Sequence, residues 1–388
     1  MRSLLKIISI GVVFIFSSTS LQVTASTKLQ LSTKPQVVSS DSHKKTLQQN
    51  AMDQKLSLEQ RISAIKQLYP EQWGDSTQVK RRICIWDIAG RSGPIFMAAQ
   101  DQKAELMQMG VQVEMEAYTS ESILTEELKA GRCDAALMTG LKARTFNKFS
   151  GTIDSVGAMP STKHFKILLK AIMNSRMAPK FENDHYIVLG VAPAGAAYIF
   201  VNDRKINSLT KAAGKRIAVL DYDQTQAKMV LKLGATPIPS SLVGAPNKFN
   251  NGAVDVLPAP LVAYGFMELY RGMEPDGGII DYPFSQASLQ MIGLKDKFPR
   301  EVAQIIRESF YKGFDRVIKQ LKVQTGDIPS RWWIPIPDKE KQDYEVLMQQ
   351  ARIELREADY YDGVMLRIQR KVRCKLDATR FECPNPVE

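Results

Sequence analysis

Val111-Gln-Val-Glu-Met-Glu-Ala-Tyr118 is followed by a segment from Ser120 to Ala130, by Gly131, and by Ala135-Ala-Leu-Met-Thr139. In the first stretch Val111, Val113, Met115 and Ala117 alternate with other residues, the period-two pattern of a strand. Ser120 is a good helix cap, Ile123, Leu124 and Leu128 recur on one helical face, and Gly131 stops the helix. The third stretch is a short apolar strand. Just upstream, Ile83 to Ile88 forms another buried apolar strand, and Gly93-Pro94 opens a helix that runs to Met109, where Gly110 ends it. Strand, helix, strand, helix, strand in this order predicts a parallel sheet with right-handed crossovers. The fold class is therefore α/β.

A second unit of the same kind lies downstream. Val188 to Val201 reads as a strand, Ser208 to Ala213 as a short helix, and Arg216 to Leu220 as a strand. Thr225 to Leu233 is a helix closed by Gly234, Thr236 to Pro239 a short strand, and Val254 to Leu257 another. Two such units in series predict two lobes with a cleft between them, each lobe a sheet flanked by helices. Open α/β sheets bind ligands outside the carboxyl ends of their strands, which places the site.

The ends of the chain differ from this middle. Arg2 and Lys6 bracket the apolar run Leu4 to Phe16, and Val23 and Ala25 stand at the −3 and −1 positions of a small-residue cleavage site. These are the parts of a secretory signal peptide spanning 1–25, cut after Ala25; the apolar run is short for a bilayer span of about 20 residues. Residues 26–80 read as a flexible leader carrying one helix, with Leu58, Ile62, Ile65 and Leu68 on one stripe and Ser57 and Gln60 set for a capping box. Lobe I begins at 81–187, lobe II covers 188–284, and 285–321 returns to lobe I. Residues 322–388 form a helical tail, with Trp332, Trp333, Pro335 and Pro337 placed to dock it.

The sequence carries a net charge of +11, but its basic residues are dispersed among acidic ones, with Lys80, Arg81, Arg82 and Arg367, Arg370, Lys371, Arg373 as the main groups. A solvated basic face explains this better than nucleic-acid binding. Four cysteines in an exported chain indicate disulfides. Cys374 and Cys383 would close a short loop at the C-terminus, leaving Cys84 and Cys133 for each other, although three connectivities are open.

The order of the motifs resembles the solute-binding proteins of tripartite ATP-independent periplasmic (TRAP) transporters. Two runs carry the likeness. One is Val111 to Thr119 with Glu127-Leu-Lys-Ala-Gly-Arg-Cys-Asp-Ala-Ala-Leu-Met138. The other is Ile206 to Leu220, continuing through Leu233-Gly-Ala-Thr-Pro-Ile-Pro239 and Asn251-Gly-Ala-Val-Asp-Val256. Ser288 to Leu294 resembles the strand that returns to the first lobe, so the likeness spans about Arg82 to Leu321. It implies a two-lobed, type II-like periplasmic-binding fold that hands a small ligand to an inner-membrane permease, with no cofactor. Two positions depart from that family's pattern. Ala218 stands where the family carries a ligand-gripping arginine, with Arg216 two residues earlier on the same side of the strand, and Leu257-Pro-Ala-Pro260 replaces a family asparagine. Bidentate arginine recognition of a carboxylate is geometrically exacting, so the resemblance carries the fold and not the ligand.

Loops at the strand ends supply the candidate ligand contacts. They are Asp87, Arg91 and Ser92 after the first strand, Tyr118 and Thr119 after the second, and Thr139 and Arg144 after the third. Lobe II adds Arg216, Asp221, Tyr222, Gln224, Pro258 and Tyr264. Asp134 and Asp255 read as strand anchors. Catalysis finds little support. Gly90-Arg-Ser-Gly-Pro94 lacks the second glycine of a nucleophile elbow, Gly214-Lys215 lacks a phosphate loop's flanks, and His43, His164 and His185 show no metal spacing. The expectation is a non-enzymatic periplasmic binding protein for a small polar or anionic solute. The alternative is a periplasmic accessory or sensor protein using the same fold to contact a signalling, efflux or envelope complex.

Overall fold

The computed structural model describes residues 40–74, 79–108, 110–208 and 210–388. The expected signal peptide and the first part of the expected leader lie outside the described residues. Among the described residues there are ten strands: β1 Val79–Trp86, β2 Val111–Tyr118, β3 Ala135–Thr139, β4 Tyr186–Val201, β5 Arg216–Leu220, β6 Thr236–Ser240, β7 Val256–Pro260, β8 Gly278–Ile280, β9 Ser285–Leu294 and β10 Trp333–Ile334. They form one sheet in the order β2-β1-β3-β9-β4-β7-β5-β6, with β8 bridging β4 and β10.

The βαβαβ units form as expected at both ends of this sheet. β1 pairs parallel with β2 and β3, and β5 pairs parallel with β6 and β7. The two units are built alike. Before β3 the Asp134 carboxylate accepts from Arg82 N at 2.8 Å, and before β7 the Asp255 carboxylate accepts from Arg216 N at 2.8 Å. In each, an acidic residue just ahead of one strand holds a backbone N–H of its neighbour, in mid-β1 at Arg82 and at the first residue of β5 at Arg216. Each follows a helix closed by a left-handed glycine, Gly131 (φ 71°) and Gly252 (φ 74°).

The centre differs from the parallel expectation. β4 and β9 are long and pair antiparallel with each other, and β3–β9, β4–β7 and β4–β8 are antiparallel too. The two lobes therefore share a continuous sheet. The start placed at residue 188 for the second lobe falls inside β4. Ile187, Val188, Leu189 and Val191 of that strand pack in the first lobe, whereas Phe200 and Val201 pack in the second. Each lobe has apolar clusters on both sheet faces. On β1, Cys84 and Trp86 join one cluster while Ile83 and Ile85 join the other. On β5, Ala218 goes to one face and Ile217 and Val219 to the other. Strands covered on both faces read as continuous apolar runs, which is how they showed in the sequence.

Helix boundaries follow local signals closely. The Leu58–Leu68 helix has the reciprocal capping box of Ser57 and Gln60, and Ser120 caps Glu121–Lys129 by accepting from Ile123 N. The stretch from Gly93 is two helices, Pro94–Asp101 and Lys103–Gln108. Ser40–Met52, read as leader, is a helix: Ala51 is fully buried and Leu47 packs against the first lobe's core, an anchorage that composition alone does not reveal. Of the three possible connectivities the structure forms Cys84–Cys133, joining β1 to the turn before β3, and Cys374–Cys383 in the tail.

The tail helices Asp338–Glu357 and Gly363–Leu376 straddle both lobes. On the second lobe Tyr344 stacks on Tyr282 with centroids 5.4 Å apart, and Lys232 pairs with Glu354 at 2.5 Å. On the first, buried Gln369 donates to Thr152 O and Ile153 O and accepts from Ser155 Oγ. Arg352 and Arg373 lie buried with Glu382 and Glu388, and Arg373 Nη2 contacts both carboxylates, at 2.5 Å and 2.7 Å. Burial pushes the Glu382 carboxyl up, but hydrogen bonding and charge from Arg373, with Arg380 and Arg352, bring it down to about 2.

Candidate functional site

A cavity of about 1110 Å³ lies where the lobes meet. Its walls include residues at the carboxyl ends of β1, β3, β5 and β7, the crossing strands β4 and β9, the Phe314–Thr325 helix and the tail. That is the location open α/β sheets use for ligands, and the volume is generous for a small-molecule site. Leu141, Val156, Leu242, Leu289, Phe310 and Leu321 make much of the wall apolar.

Three expected residues line this cavity: Asp87, Thr139 and Pro258. Asp87 is buried and its carboxylate accepts from Ala89 N, Ile95 N and Phe96 N, at 2.9, 2.7 and 3.0 Å. It thus holds the N-terminus of the Pro94 helix, the donors that were read as an anion site. Only Gly93 leaves room for this arrangement, because a Cβ there would collide with the Asp87 carboxylate. Thr139 caps the Gly140–Ala143 turn through Lys142 N, and its own N–H donates to Glu121.

Thr139, Arg144 and Tyr222 converge at one corner, with partners the sequence did not nominate. The Lys142 ammonium sits 4.2 Å from the centre of the Tyr222 ring, across the divide between lobes. Arg144 donates to Gly151 O and lies over the tail rings Tyr360 and Tyr361, at 4.2 and 5.2 Å. Tyr360 donates its hydroxyl to Asp223, the cap of the Gln224–Lys232 helix in the second lobe. First lobe, second lobe and tail therefore touch at one point. The Tyr222 hydroxyl and Glu121 Oε2 are buried there without hydrogen-bond partners. Burial raises the pKa of both groups, and for Tyr222 the negative charges of Glu121 and Asp223 add to the rise.

Nearby, Asp154 accepts from Ser288 N at 3.0 Å and Ser288 Oγ at 2.5 Å, at the root of the cavity on β9. Burial pushes its carboxyl up to about 7, against the pull of the Ser288 hydrogen bonds. Asp154 sits in Gly151-Thr-Ile-Asp154, which has no recognisable motif. Tyr360-Tyr361, an aromatic pair in the turn between two polar helices, is the sequence signal for the tail's share of the corner.

The other expected residues lie elsewhere. Arg91, Ser92, Thr119, Asp221 and Gln224 are exposed and lie outside the cavity wall, and Tyr118 is half-buried against the first lobe's core. Tyr264 packs near Tyr270 in the second lobe. Arg216 sits at the amino end of β5, where Asp255 binds it at 2.7 Å and Gly252 O accepts from it; that partner holds the Asp255 carboxyl at about 2. It is not among the cavity residues, and Ala218 is. Among the described residues no group of three or more His, Cys, Asp and Glu side chains is placed to hold a metal ion.

Comparison with known proteins places this geometry. The family model described as solute-binding protein AdeT 1/2 matches residues 64–387. The probable solute-binding protein AdeT1 of Acinetobacter baumannii is 38% identical over 299 residues, covering 77% of this chain and 98% of that protein. AdeT2 of the same organism is 25% identical over 236 residues, 60% of this chain and 98% of its own length. Among solved structures, a TRAP periplasmic solute-binding protein of Desulfovibrio salexigens with bound orotic acid aligns at TM-score 0.64 and 13% identity, covering 76% of this chain and 99% of its own. One from a Sulfitobacter species with bound β-D-galacturonate aligns at 0.61 and 12%, covering 75% and 100%. The fold is that of these receptors.

Proposed function

The chain belongs to the AdeT 1/2 family of solute-binding proteins, and from that premise we propose that it captures a small organic anion in the cleft and passes it to an inner-membrane transporter. The carrying observation is the cavity between two lobes that already touch across it through Tyr222, Asp223 and the tail. The structural neighbours hold orotic acid and galacturonate, both organic acids, in the same fold. A cleft of this kind stores no chemistry of its own. Its work is to bind better when shut than when open, so that ligand drives the closing equilibrium.

Export follows from the charged start, the short apolar run and the small residues before Ser26. The working place is the periplasm, and the mature protein begins at Ser26, which N-terminal sequencing of protein recovered from that compartment checks. Among the described residues no helix is long and apolar enough to cross a membrane.

The functional test is thermal melting of unfolded-and-refolded, ligand-free protein against a panel of organic acids. A ligand at one hundred times its Kd stabilises the folded state by about 2.7 kcal/mol, a shift of several degrees in a chain of this size. A flat response across the panel, together with a protein partner that co-purifies, would turn the reading toward an accessory or sensor role.

A further inference from the structure

Gln320, Gln324 and Gln350 stand on the helices that border the cavity, but most of the polar groups on its strand walls are already engaged. The Asp87 carboxylate is filled by three backbone N–H groups and Asp154 by Ser288. Thr139 is used as a helix cap, and Ser285 Oγ donates to Asp154 O. Where β4 and β7 meet the cavity, Pro193, Pro258 and Pro260 remove three backbone donors from the wall. Ala218 presents a methyl group to the cavity from β5. A sugar hydroxyl set against these strand walls would lose its hydrogen bonds without replacement. The same walls suit methylene and aromatic carbon. Among the described residues lining the cavity, Arg316 is the only arginine; it is exposed and has no ion-pair or hydrogen-bond partner.

Resting on the solute-capture reading above, we propose that the cleft selects amphipathic organic monoanions, with an apolar body held between the lobes and the carboxylate directed to Arg316. Affinity then follows chain length, because each methylene removed from water tightens binding by about fourfold. Charge at Arg316 adds a smaller, salt-sensitive part.

The test uses 11-(dansylamino)undecanoic acid as a fluorescent probe on the full mature chain, displaced by hexanoate, octanoate, decanoate, decanol and galacturonate. The expected result is probe binding, displacement that strengthens about sixteenfold from octanoate to decanoate, and galacturonate far behind. Arg316→Gln, on an exposed position, should weaken decanoate severalfold and leave decanol unchanged. Decanoate affinity unaltered by that variant overturns the carboxylate's placement. A flat chain-length series, or galacturonate ahead of decanoate, overturns the ligand class while leaving solute capture intact. No binding by the probe or any of these compounds, nor by the wider acid panel, removes both readings.

Discussion

Asp154 shows how burial turns one carboxyl into a pH-dependent element of stability. Its folded-state pKa of about 7 stands above the ordinary aspartate value of 3.8, so between those limits the folded chain holds the proton more tightly than the unfolded chain. Its contribution therefore falls as pH rises from about 4 to 7, the reverse of a salt-bridged aspartate. Asp154→Asn should gain on the wild type over that window, read as the difference in urea midpoints at pH 4.5 and 7.5; a constant difference would refute the assignment. Tyr222 gives a second residue-scale expectation. Its hydroxyl is buried with no partner, so Tyr222→Phe should leave stability unchanged or raise it by up to about 1 kcal/mol, while keeping the ring under Lys142. The strand anchors Asp134 and Asp255 were legible because an acid ahead of an apolar strand has one local job. Asp154, Glu121 and Ser288 were not, because their meaning comes from neighbours more than 15 residues away in sequence.

At the scale of elements, the tail is fastened by charges that would be costly if left alone. Arg373→Ala leaves Glu382 and Glu388 buried around a lost guanidinium, and should cost about 3–5 kcal/mol in chemical denaturation. Glu382 titrates far below the ordinary glutamate value, so its contribution is complete above about pH 5 and is lost as pH falls toward 2. Opening the Cys374–Cys383 loop by paired serine substitution should remove about 2–3 kcal/mol in the same measurement. Elements with their own periodicity and caps were readable from sequence: β2, β3 and β5 match their expected limits residue for residue. The Gly244–Asn250 and Thr162–Ile172 helices were not read, nor was the short β8. Gly244–Asn250 carries Gly and Pro within its first turn, and β8 is only three residues long, too short for a pattern. Thr162–Ile172 is different, since Phe165, Leu168, Leu169 and Ile172 form a clear buried stripe that was there to be found.

For the whole molecule, closure depends on contacts made from three sides at once. Asp223→Ala removes both the helix cap and the Tyr360 hydrogen bond, and should loosen the junction of second lobe and tail. Small-angle scattering should then report a larger radius of gyration for the ligand-free variant than for the wild type, and an unchanged radius would count against a latch at this corner. Two lobes were legible because strand–helix alternation recurs twice; their union was not, because antiparallel pairing of β4 with β9 leaves no mark on either segment alone. That union has a mechanical consequence. A ribbon sixteen residues long, paired along most of its length and shared by both halves, breaks register at two bulges, between Val188 and Gly190 and between Pro193 and Gly195, the second with Gly195 at φ 93°. Bending is easiest at these two bulges, and the paired segments on either side of them keep the travel between open and shut short. Brief exposure to trypsin should accordingly trim the ends of the chain before it ever yields the halves as separate pieces.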